Sequence, residues 1–187
     1  MAYAITCVPV ANLAELSVQL TEFAADRLKI QQREAGVRHD LIDAVFALGG
    51  EDDLVRLLAR VNALQSFVTT EDGANLLAGY KRAANILKKE GVAEVTSNTL
   101  SYTPEDEEAA LIAALDSAAP RAAAAVAAED FEGAMAALAS LRAPIDAFFD
   151  KVTVNDADED KRQARLALLA RVREAVHTVA DFSRIEG

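Results

Sequence analysis

The run Tyr80-Lys81-Arg82-Ala83-Ala84-Asn85-Ile86-Leu87-Lys88-Lys89 gathers four cations around one amide. At about 100° per residue on a helix, Lys81, Arg82, Asn85, Lys88 and Lys89 fall within an arc of roughly 120°. Tyr80, Ala83 and Leu87 face the other way. A cationic strip with an amide at its centre can hold phosphates at its ends and hydrogen-bond a base edge in its middle. A Lys/Arg face that is merely solvated is the plain alternative. Arg27, Arg33 and Arg38 add positive charge late in the first helical stretch and in the loop that leaves it, and the same alternative applies to them.

The other chemistry-bearing residues form no catalytic or metal constellation. The two histidines, His39 and His177, have no cysteine partners, which argues against a transition-metal site. His177 follows Val176 on the last helical stretch and reads as boundary packing. Asp156, Asp158 and Asp160 alternate like the start of a calcium loop, but Lys161 stands in the place of the required glycine and Ala167 in that of the bidentate glutamate. These acids read instead as a solvated loop that caps the following helix. No phosphate-cradling glycine loop and no nucleophile elbow is present. The lone Cys7 has no nearby histidine. The sequence therefore predicts no catalytic residue and no metal or cofactor bound by this chain.

The elements that must position the strip are helices. Apolar residues make up 52% of the 187 residues, aromatics only 5%, and Trp is absent. Abundant alanine favours helices packed through small side chains over a β-sandwich. One cysteine excludes an internal disulfide and suits a reducing compartment. No run of 18 apolar residues occurs, and the first residues lack the basic start of a signal peptide. The expectation is a soluble, cytoplasmic protein with no membrane or DNA partner.

Net charge, at −11, argues against a nucleic-acid binder, but its distribution is uneven. Residues 101–150 carry 2 basic and 10 acidic side chains, whereas 1–100 carry 10 and 13 and 151–187 carry 7 and 7. Most of the excess sits in one stretch, so the first hundred residues can still present a basic surface.

Helical spacing recurs along nearly the whole chain. Asn12 and Glu15 have the spacing of a capping box ahead of Leu13, Leu16, Leu20, Phe23 and Leu28, with Gly36 as terminator. A short helix starts near His39 or Asp40, buries Leu41, Val45 and Leu48, and stops at Gly49-Gly50. The next opens on Glu51-Asp52-Asp53 and buries Leu54, Leu57, Leu58, Val61 and Leu64. Thr70 caps a helix through Leu76, Leu77, Tyr80 and Leu87 that Gly91 ends. These four are expected to form a compact antiparallel set. Residues 92–103 read as an extended crossing loop, and Thr103-Pro104-Glu105-Asp106 as a restart with proline at the first helical position. Pro120 is expected to split the alanine-rich stretch into two helices. Asp130 opens a helix burying Phe131, Met135, Leu138 and Leu141, and Pro144 starts a brief turn ending in Phe148-Phe149. A final amphipathic helix over Lys161–Ala180 buries Leu166, Leu169, Val172, Val176 and Val179. The only strand-like scrap is Val152-Thr153-Val154.

Five strings, in order, resemble the bacterial glycyl-tRNA synthetase β subunit. They are Phe23–Lys29, Gly36–Val45, Lys81–Lys89, Phe148–Asn155 and Val179–Gly187. The resemblance implies an all-α, antiparallel helical bundle of the DALR anticodon-binding type, although the Asp-Ala-Leu-Arg signature is not present as such. It also implies a piece of a longer β chain within a heterotetramer that charges glycine tRNA. There the α subunit performs adenylation, with ATP and Mg at its own active site, and the end of β reads the anticodon. The implied partners are glycine tRNA, the α subunit and the rest of β. Residues 13–187 would form the helical domain: a basic half 13–91, the crossing loop 92–103 and an acidic half 104–187. The resemblance leaves residues 1–12 unplaced.

On that resemblance, Arg82 and Asn85 are assigned to base-edge or sugar contacts and Lys81, Lys88 and Lys89 to phosphates. Arg38 and His39, on the turn after the first helix, would border the same groove. Phe148-Phe149 reads as a core anchor, with a stacking platform as the other option. A helical module that docks other synthetase subunits or domains is the alternative function, which the net charge favours. An anticodon domain of the arginine enzyme is a second rival, opposed by the strings at 148–155 and 181–187.

Overall fold

The computed structural model describes residues 13–49, 53–92 and 101–186. Asn12, Glu51 and Asp52, Cys7 and most of the crossing loop lie outside them. Among the described residues the chain forms eight α-helices, a closing 3-10 turn and no strand. They are α1 (Leu13–Glu34), α2 (His39–Phe46), α3 (Leu54–Val68), α4 (Glu71–Glu90), α5 (Asp106–Ala127), α6 (Phe131–Ala139), α7 (Arg142–Lys151), α8 (Glu159–His177) and the turn Phe182–Arg184.

Several boundaries follow directly from side-chain chemistry. The Asp53 carboxylate accepts from the Val55 and Arg56 N–H groups at the start of α3. Asp130 accepts from Gly133 N–H ahead of α6, and Asp158 from Asp160 and Lys161 N–H ahead of α8. Each satisfies donors that a helix start otherwise leaves unpaired.

Three expectations about restarts and breaks are corrected. The helix after the crossing loop begins at Asp106, not at Pro104, because Glu105 is its cap and donates its N–H to Glu108 Oε2 at 2.8 Å. Pro120 does not split the alanine-rich stretch, since α5 runs unbroken over 22 residues. The lost hydrogen bond costs about 3 kcal/mol, offset by the helix propensity of the alanines around it and by the burial of Leu111, Leu115, Ala118 and Ala122 along one face. Pro144 sits in the first turn of α7, where its missing N–H has no helical partner to lose, so a ten-residue helix forms in place of a brief turn.

The first four helices pack in succession, α1 on α2, α2 on α3 and α3 on α4, but they do not stand apart as a separate set. Instead α3 packs on α6, and α4 packs on α8 and α7, so the two halves of the sequence interleave around one core. In α8, six successive residues, Arg165 to Ala170, are buried because α4 and α5 both lie against it. By composition α5 is long and apolar enough to cross a membrane, yet its leucines face this core. Helix α1 packs chiefly on α2. Of its apolar stripe, Leu28 is half-buried but Leu16, Leu20 and Phe23 are exposed, as is the nearby Ile30, because no described element covers them.

The end of the described chain returns to α2. Asp181 N–H donates to the Ala44 carbonyl at 2.9 Å, and Glu186 N–H donates to the Asp40 carboxylate at 2.8 Å. Phe182 sits edge-on to Tyr80 with ring centres 5.6 Å apart. Burial works against an ionised Asp40, but bonds from Arg38 and Glu186 N–H outweigh it and hold the carboxyl below its ordinary range.

Candidate nucleic-acid interface

Helix α4 starts at Thr70, whose hydroxyl accepts from Gly73 N–H at 3.0 Å. It ends at Gly91, where φ is +71°, a left-handed conformation that glycine adopts without strain. Its acids Glu71 and Asp72 lie in the first turn and Lys88 and Lys89 in the last, each placed to suit the helix dipole. Leu76, Leu77, Tyr80, Ala83 and Leu87 face the core, so Arg82, Asn85, Lys88 and Lys89 are turned to solvent and Lys81 is half-buried.

Ion pairing separates this helix from most of the molecule. Many cations elsewhere meet acids: Arg33 with Asp43, Arg142 with Glu71 and Asp72, Arg171 with Asp116, Arg184 with Asp181. Among the described residues, Lys81, Arg82, Lys88, Lys89 and the nearby Lys151 have no carboxylate within ion-pair distance. The negative total is thus compatible with a cationic face, because the acids neutralise basic groups in other places.

A groove of about 390 Å³ runs beside this face, between α4 and the segment joining α7 to α8. Arg82, Ile86 and Lys89 form one wall. Phe149, Lys151, Val152, Val154 and Asn155 form the other, and Arg162, paired with Glu90, closes one side. The Arg82 guanidinium lies over the Phe149 ring, 4.3 Å from its centre. Close approach of α7 makes this contact possible. A Cβ at Gly79 would stand 2.8 Å from Ile145 Cγ2, so any larger residue there would push α7 away.

The groove's far wall is fixed from below by a buried cluster. Arg165, 1% exposed, donates through Nε to Glu108 Oε1 at 2.8 Å and through Nη2 to Glu105 at 2.7 Å. Its Nη1 donates to the Thr153 carbonyl and to Asp156 Oδ2, both at 2.8 Å. Tyr102 donates its hydroxyl to Glu108 at 2.7 Å. Burial alone would raise the Glu108 carboxyl, but the bonds from Arg165, Tyr102 and Glu105 N–H outweigh it and hold it low. Burial and the bond to Glu108 push the Tyr102 hydroxyl up.

Of the residues singled out in the sequence, Arg82 and Lys89 line the groove, while Lys81, Asn85 and Lys88 form the adjoining stripe on α4. Arg38 and His39 do not border it. They line a separate open hollow with Arg33 and Gly36, where Arg38 bonds to Asp40 and to the Glu186 carbonyl and His39 stands 3.9 Å from Glu186. The Phe148-Phe149 pair divides: Phe148 is fully buried and Phe149 is half-exposed at the groove. Lys151, Asn155 and Arg162 had not been singled out as site residues, although the Phe148–Asn155 string already carried the resemblance. His177 is boundary packing as expected, 3.4 Å from the Tyr80 hydroxyl and 3.5 Å from Asp181. Among the described residues no group of His, Cys, Asp or Glu is arranged to hold a metal ion.

Residues 76–184 match the DALR anticodon binding domain family, a span that takes in α4 from Leu76 onward, the groove and the buried cluster. The chain is 57% identical over 189 residues to the glycine–tRNA ligase beta subunit of Rhodospirillum centenum, covering 98% of this chain and 26% of that relative. It is 53% identical over 175 residues to the same subunit of Phenylobacterium zucineum, covering 92% and 26%. For Paracoccus denitrificans the identity is 49% over 175 residues, covering 91% and 26%. The chain thus spans about a quarter of the length of these relatives. On the family match and these identities together, the chain belongs to the DALR anticodon binding domain family.

Proposed function

We propose that this chain binds and reads the anticodon of glycine tRNA as part of the β subunit of a cytoplasmic glycyl-tRNA synthetase. The observation that carries the reading is the group of cations on α4 left without carboxylates beside a groove with an aromatic wall. Lys81, Lys88 and Lys89 take phosphates, Arg82 and Asn85 take base or sugar edges, and unstacked loop bases supply the flat surfaces that such a groove accommodates. Adenylation and aminoacyl transfer belong to the α subunit in this reading, with ATP and Mg bound there and none by this chain.

The test is binding of the chain to a glycine anticodon stem-loop across a salt series, beside the same stem-loop with its two anticodon cytosines replaced. Log affinity falling with log salt, together with preference for the native anticodon, supports a reader that combines phosphate and base contacts. Equal affinity for both loops reduces the face to a nonspecific cation strip. One observation favours a docking role as well: the apolar side chains of α1 left exposed. Association of the chain with the rest of β or with the α subunit in the absence of tRNA, lost on Leu20→Ser with Phe23→Ser, would assign that role to α1.

A further inference from the structure

Resting on the reading above, we propose that the groove between α4 and the α7–α8 segment is a one-nucleotide slot. In it one unstacked anticodon base lies against the Phe149–Arg82 stack and is read along its edge by Asn155.

Four features carry this. The walls are of two kinds that a nucleotide needs together: flat or aliphatic surface from Phe149, Ile86, Val152 and Val154, and cations from Arg82, Lys89 and Lys151 at the rim, which outnumber the acids there, Asp150 and the Arg162-paired Glu90. The groove's volume, about 390 Å³, lies at the lower end of the roughly 300–1,000 Å³ range of small-ligand sites, which suits one base and its sugar. A guanidinium over an aromatic ring presents a further flat cationic face on which a base stacks.

The fourth feature is the way the segment carrying Asn155 is held. Arg165 binds the carbonyl of Thr153 on one side and the carboxylate of Asp156 on the other. The two residues between them, Val154 and Asn155, are bracketed by these two bonds to the buried Arg165 and line the groove. Among the described residues the Asn155 amide has no hydrogen-bond partner. An exposed amide on an anchored backbone, with both a donor and an acceptor, matches the paired donor and acceptor on a base edge. Because the segment is anchored before the base arrives, less ordering remains to oppose binding. Asn155 is in this account a base-reading residue and Arg165 a positioning residue.

The experiment pairs protein variants with single abasic sites. Wild type, Phe149→Ala, Asn155→Ala and Lys88→Ala are each titrated with the intact glycine anticodon stem-loop and with versions lacking one loop base at a time. With the intact loop, Phe149→Ala and Asn155→Ala are each expected to weaken binding about tenfold, the scale of one lost base stack. With the loop that lacks the seated base, wild type weakens by a similar factor and these two variants lose nothing more. Lys88→Ala weakens every loop alike. If Phe149→Ala and Asn155→Ala lose the same factor whichever base is missing, or bind the intact loop as wild type does, the slot is overturned while the phosphate-binding strip stands. If wild type fails to bind the intact loop, both the slot and the proposed function fall.

Discussion

Arg165 and the lysines of α4 are the same kind of group in opposite circumstances. Arg165 is buried, and three carboxylates and a carbonyl occupy its five N–H donors. Lys81, Lys88 and Lys89 meet no carboxylate among the described residues. The first arrangement holds the protein together, and the second leaves charge available to something outside it. The lesson is that a chain of net charge −11 can still present cations without carboxylate partners, because where acids are paired matters more than how many there are.

The comparison breaks most sharply if Arg165 can be removed without harm. Arg165→Met leaves Glu108 ionised and buried without its partner, so a loss of about 3–5 kcal/mol in unfolding free energy is expected, read from urea denaturation at neutral pH. Acid should reach the same cluster by another route. The Glu108 carboxyl is held below its ordinary range in the folded chain, so its contribution is present above the unfolded value of about 4.3 and is lost as pH falls through the folded value. Asp40 has the same sign. Urea midpoints should therefore fall from pH 6 toward pH 3, and less steeply in Glu108→Gln.

Substitutions on α4 should do the reverse, sparing stability and reducing binding. Arg82→Ala is expected to weaken stem-loop binding by about 1–3 kcal/mol if Arg82 touches a base. Its urea midpoint should stay close to wild type, since exposed substitutions commonly fall within about 0.5 kcal/mol. An unchanged affinity would remove α4 from the interface. Lys88→Ala and Lys89→Ala should each lower the magnitude of the log–log salt slope by about 0.7–0.9, one phosphate apiece. The smallest effect belongs to Arg121→Ala on α5. That cation is exposed but remote from the groove lining, and its loss should leave the salt slope as it is.

Local chemistry made much of the fold legible. Asp53, Thr70, Gly91 and Asp130 act within a turn of their own position, and each marks a boundary where the sequence predicted one. Prolines misled where packing decided: Pro120 lies within a helix that buries apolar residues on both sides of it, and Pro144 falls where its missing donor costs little. The periodicity of α1 was visible, but periodicity does not say whether a neighbour exists to cover the stripe. At the site, the cations of α4 were legible because they share one helix face. Phe149 was visible only within the Phe148-Phe149 pair, with a stacking platform as the lesser option, and Asn155 not as a site residue, because their place beside Arg82 depends on a close contact at Gly79 and on an arginine that bonds across 57 residues of sequence to Glu108.

The return of the chain's last described residues to α2 sets an order of events during synthesis. Helix α2 has eight residues, too few to persist unaided. Some of its clasps, Glu186 N–H on Asp40 and the Glu186 carbonyl on Arg38, span 146 and 148 positions. At about 5–20 residues per second, a ribosome needs on the order of ten seconds to travel from α2 to residue 186. For that interval the nascent chain carries Leu41, Ile42 and Val45 without the lid that seals them. Completion of the fold is thus a late clasp, and interruption of translation before it would leave an adhesive, unfinished polypeptide for chaperones to hold.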